Sequence, residues 1–141
     1  MLYIKVLAGA ANMGTMEKLR ILVVDDHQEI RKGVRALLSS QSDWIVCGEA
    51  EDGIEALEKA KELRPDIILM DVSMPRMDGI EATRILSREL PESGVVIVSQ
   101  NDRAIVSTQA ESAGALAFIA KSELALRLTP TIAEISTRRR L

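Results

Sequence analysis

The 141 residues predict one α/β domain built as a doubly wound parallel sheet with helices on both faces. Three observations lead there. From Leu19 onward, five short apolar runs alternate with longer segments of helical period, the sequence form of repeated strand–helix units. Most of the runs are continuous in Val, Ile and Leu rather than alternating with polar residues, which suits strands covered on both faces. Several runs also end in a residue of distinct chemistry, and open parallel sheets bind ligands outside the carboxyl ends of their strands.

The elements follow in order. The first run, Ile21 to Val24, ends in Asp25 and Asp26. Ile30, Val34, Leu37 and Leu38 then recur at i, i+4, i+7 and i+8, the apolar stripe of a helix facing a core. The second run, Ile45 to Cys47, continues into Gly48 and Glu49 with no matching short carboxylate, as fits a strand at the sheet edge. Ile54, Leu57 and Ala60, three apart, mark the next helix. The third run, Ile67 to Met70, ends in Asp71; the fourth, Val95 to Val98, in Ser99; the fifth, Leu116 to Ala120, in Lys121. Gly53, Pro65, Gly79, Pro91 and Gly94 punctuate the connections. The last helix is predicted to begin near Thr129, where Thr129-Pro130 reads as an N-cap followed by Pro at the first helical position, and it ends in Arg138, Arg139 and Arg140.

Composition narrows the function. With 47% hydrophobic and 28% charged residues, the chain buries roughly 70% of its unfolded surface and needs no disulfide or structural metal to hold a core. Its one cysteine, Cys47, excludes zinc-ribbon and Cys-x-x-Cys redox readings, fits a reducing compartment, and is expected to pack as a small core hydrophobe on its strand. A net charge of -3 and 2% aromatic residues argue against nucleic acid and membrane surfaces as partners. No uncharged apolar run approaches the length of a bilayer span, so a cytoplasmic location is expected. Residues 1–16, with Met13 and Met16 just before the first good element, read as an N-terminal extension, disordered or a mis-assigned start, ahead of a domain over residues 17–141.

Asp25, Asp26, Asp71, Ser99 and Lys121 should converge if the strands are parallel. Packed carboxylates repel and raise one another's pKa, so the cluster calls for a cation. Mg2+ suits it, because it takes hard oxygen ligands, keeps several waters and binds through one or two carboxylates together with phosphate oxygens. An Asp beside a divalent ion and a Lys can also attack a phosphoryl group, with the ammonium and the serine hydroxyl meeting the developing charge.

At these residues the sequence resembles the response regulator receiver domain of two-component signalling. The resemblance runs from Leu19 to about Ile135 on the stretches ILVVDDHQEI, PDIILMDVSMPRMDGIEATRIL, VVIVSQND and AGALAFIAKSEL, with Met70-Asp71 through Met74-Pro75 to Met77-Asp78-Gly79 as its most specific block. It implies a flavodoxin-like (βα)5 fold with strand order 2-1-3-4-5. It implies Asp71 as phosphoacceptor, Asp26 as a direct Mg2+ ligand, Asp25 as a ligand through water, and the backbone carbonyl of Ser73 completing the protein's share of the metal shell. Ser99 would be the switch hydroxyl, Phe118 the switch aromatic, and Lys121 the residue that grips the phosphoryl group. The implied partners are a histidine kinase or phosphotransfer protein upstream, and a downstream protein, an output domain or a second copy meeting the face of the fourth helix, fifth strand and fifth helix. The stretch from Gly33 to Asp66 further resembles the subgroup that commonly carries a C-terminal helix-turn-helix output domain, which these 141 residues do not include. Such a chain is not an enzyme in the usual sense, since it takes and loses its own phosphoryl group.

Three positions depart from the pattern. Ser122 stands where Pro often follows the lysine through a cis bond; a cis bond to a non-proline residue costs roughly 2.5 to 4 kcal/mol, so the loop after Lys121 is expected to differ. Gln100 is bulkier than the usual residue after the switch serine and would narrow access to an acyl phosphate. Phe118 keeps the movable ring of the usual Tyr without its hydroxyl.

Plainer readings exist for each residue. Taken singly, the Asp pair reads as a helix cap, Lys121 as a solvated lysine, Ser99 as a turn residue, Phe118 as core and His27 as a surface or helix-start residue; their joint placement favours a site. Two other functions remain open: a receiver that only binds partners, and a metal-dependent phosphohydrolase of the haloacid-dehalogenase type, although Asp71-Val72-Ser73 lacks that type's second Asp. A flavin site is excluded, because DDHQEI is acidic where a phosphate-cradling loop would stand.

Overall fold

The computed structural model describes residues 17–140, so the expected extension over residues 1–16 lies outside the described residues. The five apolar runs form parallel strands β1 (Leu19–Val24), β2 (Trp44–Ala50), β3 (Ile67–Asp71), β4 (Gly94–Ser99) and β5 (Ala117–Ala120), in the order β2-β1-β3-β4-β5. Helices α1 (Gln28–Leu38), α2 (Gly53–Leu63), α3 (Gly79–Glu89), α4 (Ala104–Ala113) and α5 (Leu124–Arg140) alternate with them.

Because successive strand residues face opposite sides of a sheet, a continuous apolar run feeds two cores at once. Ile21, Val23, Ile67, Leu69, Val96 and Ile119 pack with Val34 and Leu38 of α1 and with Leu128, Ile132 and Ile135 of α5. Leu22, Val24, Ile68, Met70, Val95 and Ile97 pack on the other face with Ala56 and Ala60 of α2, Ala82 and Leu86 of α3, and Ala110 of α4. β2 lies at the edge, as its ending suggests. A bulge pairs Ile21 with Val46 but Leu22 with Gly48, so Cys47 is the extra residue. Cys47 is therefore half-buried at an irregular edge rather than part of either core.

The last helix differs from expectation. It starts at Leu124, directly after a 3-10 turn over Lys121–Glu123, and runs through Pro130. The core explains this: Leu124, Leu128, Ile132 and Ile135 line one side at helical spacing, and that stripe begins before the proline. Pro130 cannot donate to the carbonyl of Leu126, but both residues lie on the exposed side, Leu126 at 77% exposure, where water can take the bond. No peptide bond among the described residues is cis, including the one after Lys121. No helix of the described residues is long and apolar enough to cross a membrane.

Because Pro130 interrupts a helix already held by its core stripe, Pro130→Ala should stabilise the domain by about 1 to 3 kcal/mol. Urea unfolding followed by circular dichroism checks this; a lower midpoint would mean that the helix does not continue through residue 130.

Candidate functional site

The parallel registers bring the strand ends into one row. Val24 pairs with Met70, Asp71 with Val98, and Ser99 with Ala120, so Asp25, Asp71, Ser99 and Lys121 follow one another across four adjacent strands. Asp25, Asp71 and Ser99 are each buried, at 3%, 4% and 3% exposure. The ammonium of Lys121 lies 2.8 Å from Asp25 Oδ2 and 3.3 Å from Asp71 Oδ1, with its side chain 10% exposed. Asp25, Asp26, His27 and Asp71 each offer a ligand atom, all within 4.8 Å of one another.

Capping does not account for the Asp pair. His27 is the N-cap of α1 and its side chain makes no capping bond. Asp25 Oδ1 instead accepts the His27 backbone N–H at 2.9 Å. Asp26 Oδ1 is a buried atom with no hydrogen bond, although His27 Nδ1 stands 3.1 Å away. An orphaned carboxylate oxygen inside a ring of hard oxygen donors fits a divalent cation such as Mg2+.

The electrostatics agree. Burial pushes the Asp71 carboxyl from its ordinary 3.8 to about 6; the charges of Asp25 and Asp26 push the same way, and Lys121 only partly offsets them. For Lys121, burial alone would lower the pKa. Its hydrogen bond to Asp25 and the charges of Asp71 and Asp25 outweigh that, so its value is raised and it stays an ammonium.

The other predicted residues sit close by. Ser99 ends β4 with its hydroxyl oxygen accepting the Asn101 N–H at 3.0 Å. Phe118 is half-buried on β5 and borders a recess shared with Ala104, Ser107 and Ala120. Ser73 is exposed on the loop between β3 and α3, and Gln100 is exposed after Ser99.

Two neighbours escape a reading by strand ends. His27 is an exposed helix-start residue, as expected, yet it also reaches both Asp25 and Asp26. Arg31 donates to the Asp25 carbonyl at 2.6 Å and to Glu49 at 2.7 Å, tying the β1 end to β2. The signal was available: His27 follows the pair directly, and Arg31 stands one turn later on the same helix.

Residues 21–133 match the family model described as "Response regulator receiver domain". Transcriptional regulatory protein LiaR of Bacillus subtilis is 39% identical over 81% of this chain and 54% of its own length. Response regulator GacA of Pseudomonas viridiflava is 43% identical over 73% of this chain and 48% of its own length. The chain thus spans about half the length of these two relatives. The signal receiver domain of the putative response regulator NarL from Mycobacterium tuberculosis superposes with a TM-score of 0.82 at 33% identity, covering 86% of this chain and 98% of that one.

Asp71 gives the site a pH dependence of defined sign. Its pKa is higher in the folded state than in the unfolded one, so its contribution to stability is full below about 3.8 and is lost as the pH rises through about 6. Asn in its place carries no charge to bury. In EDTA, Asp71→Asn should therefore exceed the native chain in stability by up to about 3 kcal/mol at about pH 8, and the difference should close by about pH 4. Thermal unfolding at both values checks this; a gap independent of pH would contradict a repulsive pocket.

Proposed function

From the premise that this chain belongs to the response regulator receiver domain family, we propose that Asp71 is its phosphoacceptor and that the domain switches a protein-interaction surface. The observation that carries this reading is the placement of buried Asp71 at the end of β3, in one cluster with Asp25 and Asp26 and 3.3 Å from Lys121.

In this reading a carboxylate oxygen of Asp71 attacks the phosphorus of a phosphohistidine or of a small donor such as acetyl phosphate. The bond from phosphorus to the donor breaks and an acyl phosphate forms on Asp71. Although its pKa is raised, Asp71 is mostly ionised at neutral pH and so remains nucleophilic. Lys121, already between Asp25 and Asp71, neutralises charge on the phosphoryl oxygens, and Ser99 donates its hydroxyl proton to one of them. Asp26 directly, Asp25 through water, Asp71 and the Ser73 carbonyl would hold Mg2+. When bound, the ion supplies the positive charge that three carboxylates and a phosphoryl group require.

The switch then runs along two strands. Ser99, drawn toward the phosphoryl group, leaves its place at the end of β4, and the ring of Phe118 on the neighbouring strand turns inward to fill the space. The α4-β5-α5 face changes shape as a result. Its readers would be a downstream protein, an output domain or a second copy of the chain. The donor would be a histidine kinase or phosphotransfer protein in the cytoplasm.

Two outcomes test this. With Mg2+ and acetyl phosphate, intact-mass measurement should show the native chain gaining one phosphoryl group and Asp71→Asn gaining none; equal gain by both would place the phosphate elsewhere. Ser99→Ala should still be phosphorylated at Asp71, but on addition of beryllofluoride, a phosphoryl mimic, the amide NMR shifts around Phe118 should change far less than in the native chain. Full shifts in the variant would break the coupling between Ser99 and Phe118.

A further inference from the structure

The loop between β3 and α3, residues 72–78, carries Ser73 and is pinned at its middle to the start of α2. Arg76 adopts a left-handed backbone, φ 67°, which is strained for a residue with a side chain. Its guanidinium pairs with Asp52, whose side chain is only 3% exposed while that of Arg76 is 67% exposed. Asp52 is also the N-cap of α2, accepting the Glu55 N–H at 2.8 Å. One residue on, the Gly53 N–H donates to the Met77 carbonyl at 3.0 Å. A Cβ on Gly53 would stand 2.4 Å from that carbonyl oxygen, so only glycine permits the approach.

The same connection between β2 and α2 holds the acidic pair. The Asp25 N–H donates to the Ala50 carbonyl at 3.1 Å, two residues before Asp52. Ala50, Asp52 and Gly53 thus tie the loop after β1 to the loop after β3. These are the two loops that would supply the cation's ligands.

We propose that Asp52 and Arg76 are positioning residues for Mg2+ binding: their ion pair, with the Gly53–Met77 bond beside it, fixes the loop after β3, which carries Ser73, relative to the loop that holds Asp25 and Asp26. The inference rests on the phosphoacceptor reading above. It is from this left-handed backbone that Arg76 reaches Asp52. Asp52 is well placed to anchor that pair. The backbone N–H of Glu55 holds its carboxyl below the usual carboxylate range against the opposing effect of burial, and Arg76 adds to the lowering, so it stays charged. Groups that orient a metal's ligands without touching the metal commonly change its affinity by about 10- to 100-fold.

The test uses two variants that spare the fold in different ways. Asp52→Ser keeps an oxygen to cap α2 and removes the charge. Arg76→Gly removes the ion pair and relieves the left-handed strain. Calorimetric titration with Mg2+ should show both binding about 10-fold more weakly than the native chain. The Mg2+ concentration for half-maximal phosphorylation by acetyl phosphate should rise in step, while the rate at saturating Mg2+ falls much less. Arg76→Lys should recover part of the affinity. Native Mg2+ affinity in both variants, whatever their unfolding midpoints in EDTA, would overturn the proposal and leave Asp71 as phosphoacceptor intact. If the native chain itself bound no Mg2+ and took up no phosphoryl group, both readings would fall together.

Discussion

One ammonium shared between two buried carboxylates holds the carboxyl end of this sheet together. Lys121 reaches Asp25 and Asp71 from β5, across β4 and β3, so the charge at the end of one edge strand compensates charges set by the middle of the sheet. The compensation is incomplete. Three carboxylates meet one lysine, burial withdraws the water that would screen them, and Asp71 keeps its proton well above the usual range. A fold that gathers charge in this way gains stability from anything that supplies positive charge there, and binding is linked to stability by mass action.

The arrangement is affordable because the rest of the sheet is apolar on both faces. Each strand from β1 to β5 sends side chains alternately to the α1–α5 side and to the α2–α4 side, and the hydrophobic burial of two cores sets the strand ends in register. Close backbone contacts refine that register. A Cβ on Gly79 would lie 1.9 Å from the Asp71 carbonyl oxygen, so α3 starts as near to the end of β3 as backbone allows. Gly53 does the same for α2 against Met77. Both helices approach the site through glycine and are capped by an Asp, Asp52 or Asp78, whose side chain accepts an N–H of the first turn.

Much of this was legible in the residues. Continuous runs such as Ile67 to Met70 reveal burial on both faces, and a polar residue directly after four of the five runs marks the strand end, so Asp25, Asp71, Ser99 and Lys121 fall in one row from the sequence alone. The edge position of β2 followed from Glu49 standing where a short carboxylate would otherwise be. The start of α5 is not legible locally, because Thr129-Pro130 satisfies the local rule for a helix start whereas the stripe of Leu124, Leu128, Ile132 and Ile135 obeys the tertiary core. Arg31 on the Asp25 carbonyl and Arg76 on Asp52 depend on which loops meet, and a local reading of spacing does not encode contacts made across the fold. The Ser73 carbonyl carries no residue-type signal at all, since every residue has one.

The geometry also limits how far a signal must travel. Lys121 follows β5 directly, and Phe118 lies three residues before it, beside Ile97 in the register of β4 and β5. Ser99 pairs with Ala120 between them. A new dianion on Asp71 would compete with Asp25 for Lys121 and attract the Ser99 hydroxyl, so both changes would fall on the last residues of β4 and β5. Phe118 is half-buried and packs against the α2–α4 core from the side that opens on the recess by α4. An inward turn of the ring would therefore be felt at the recess by α4 and on the neighbouring α4-β5-α5 face. For such a change to act as a switch, the two states must lie within a few kcal/mol of each other before phosphorylation. That is the range in which a phosphoryl group's added contacts can invert the populations.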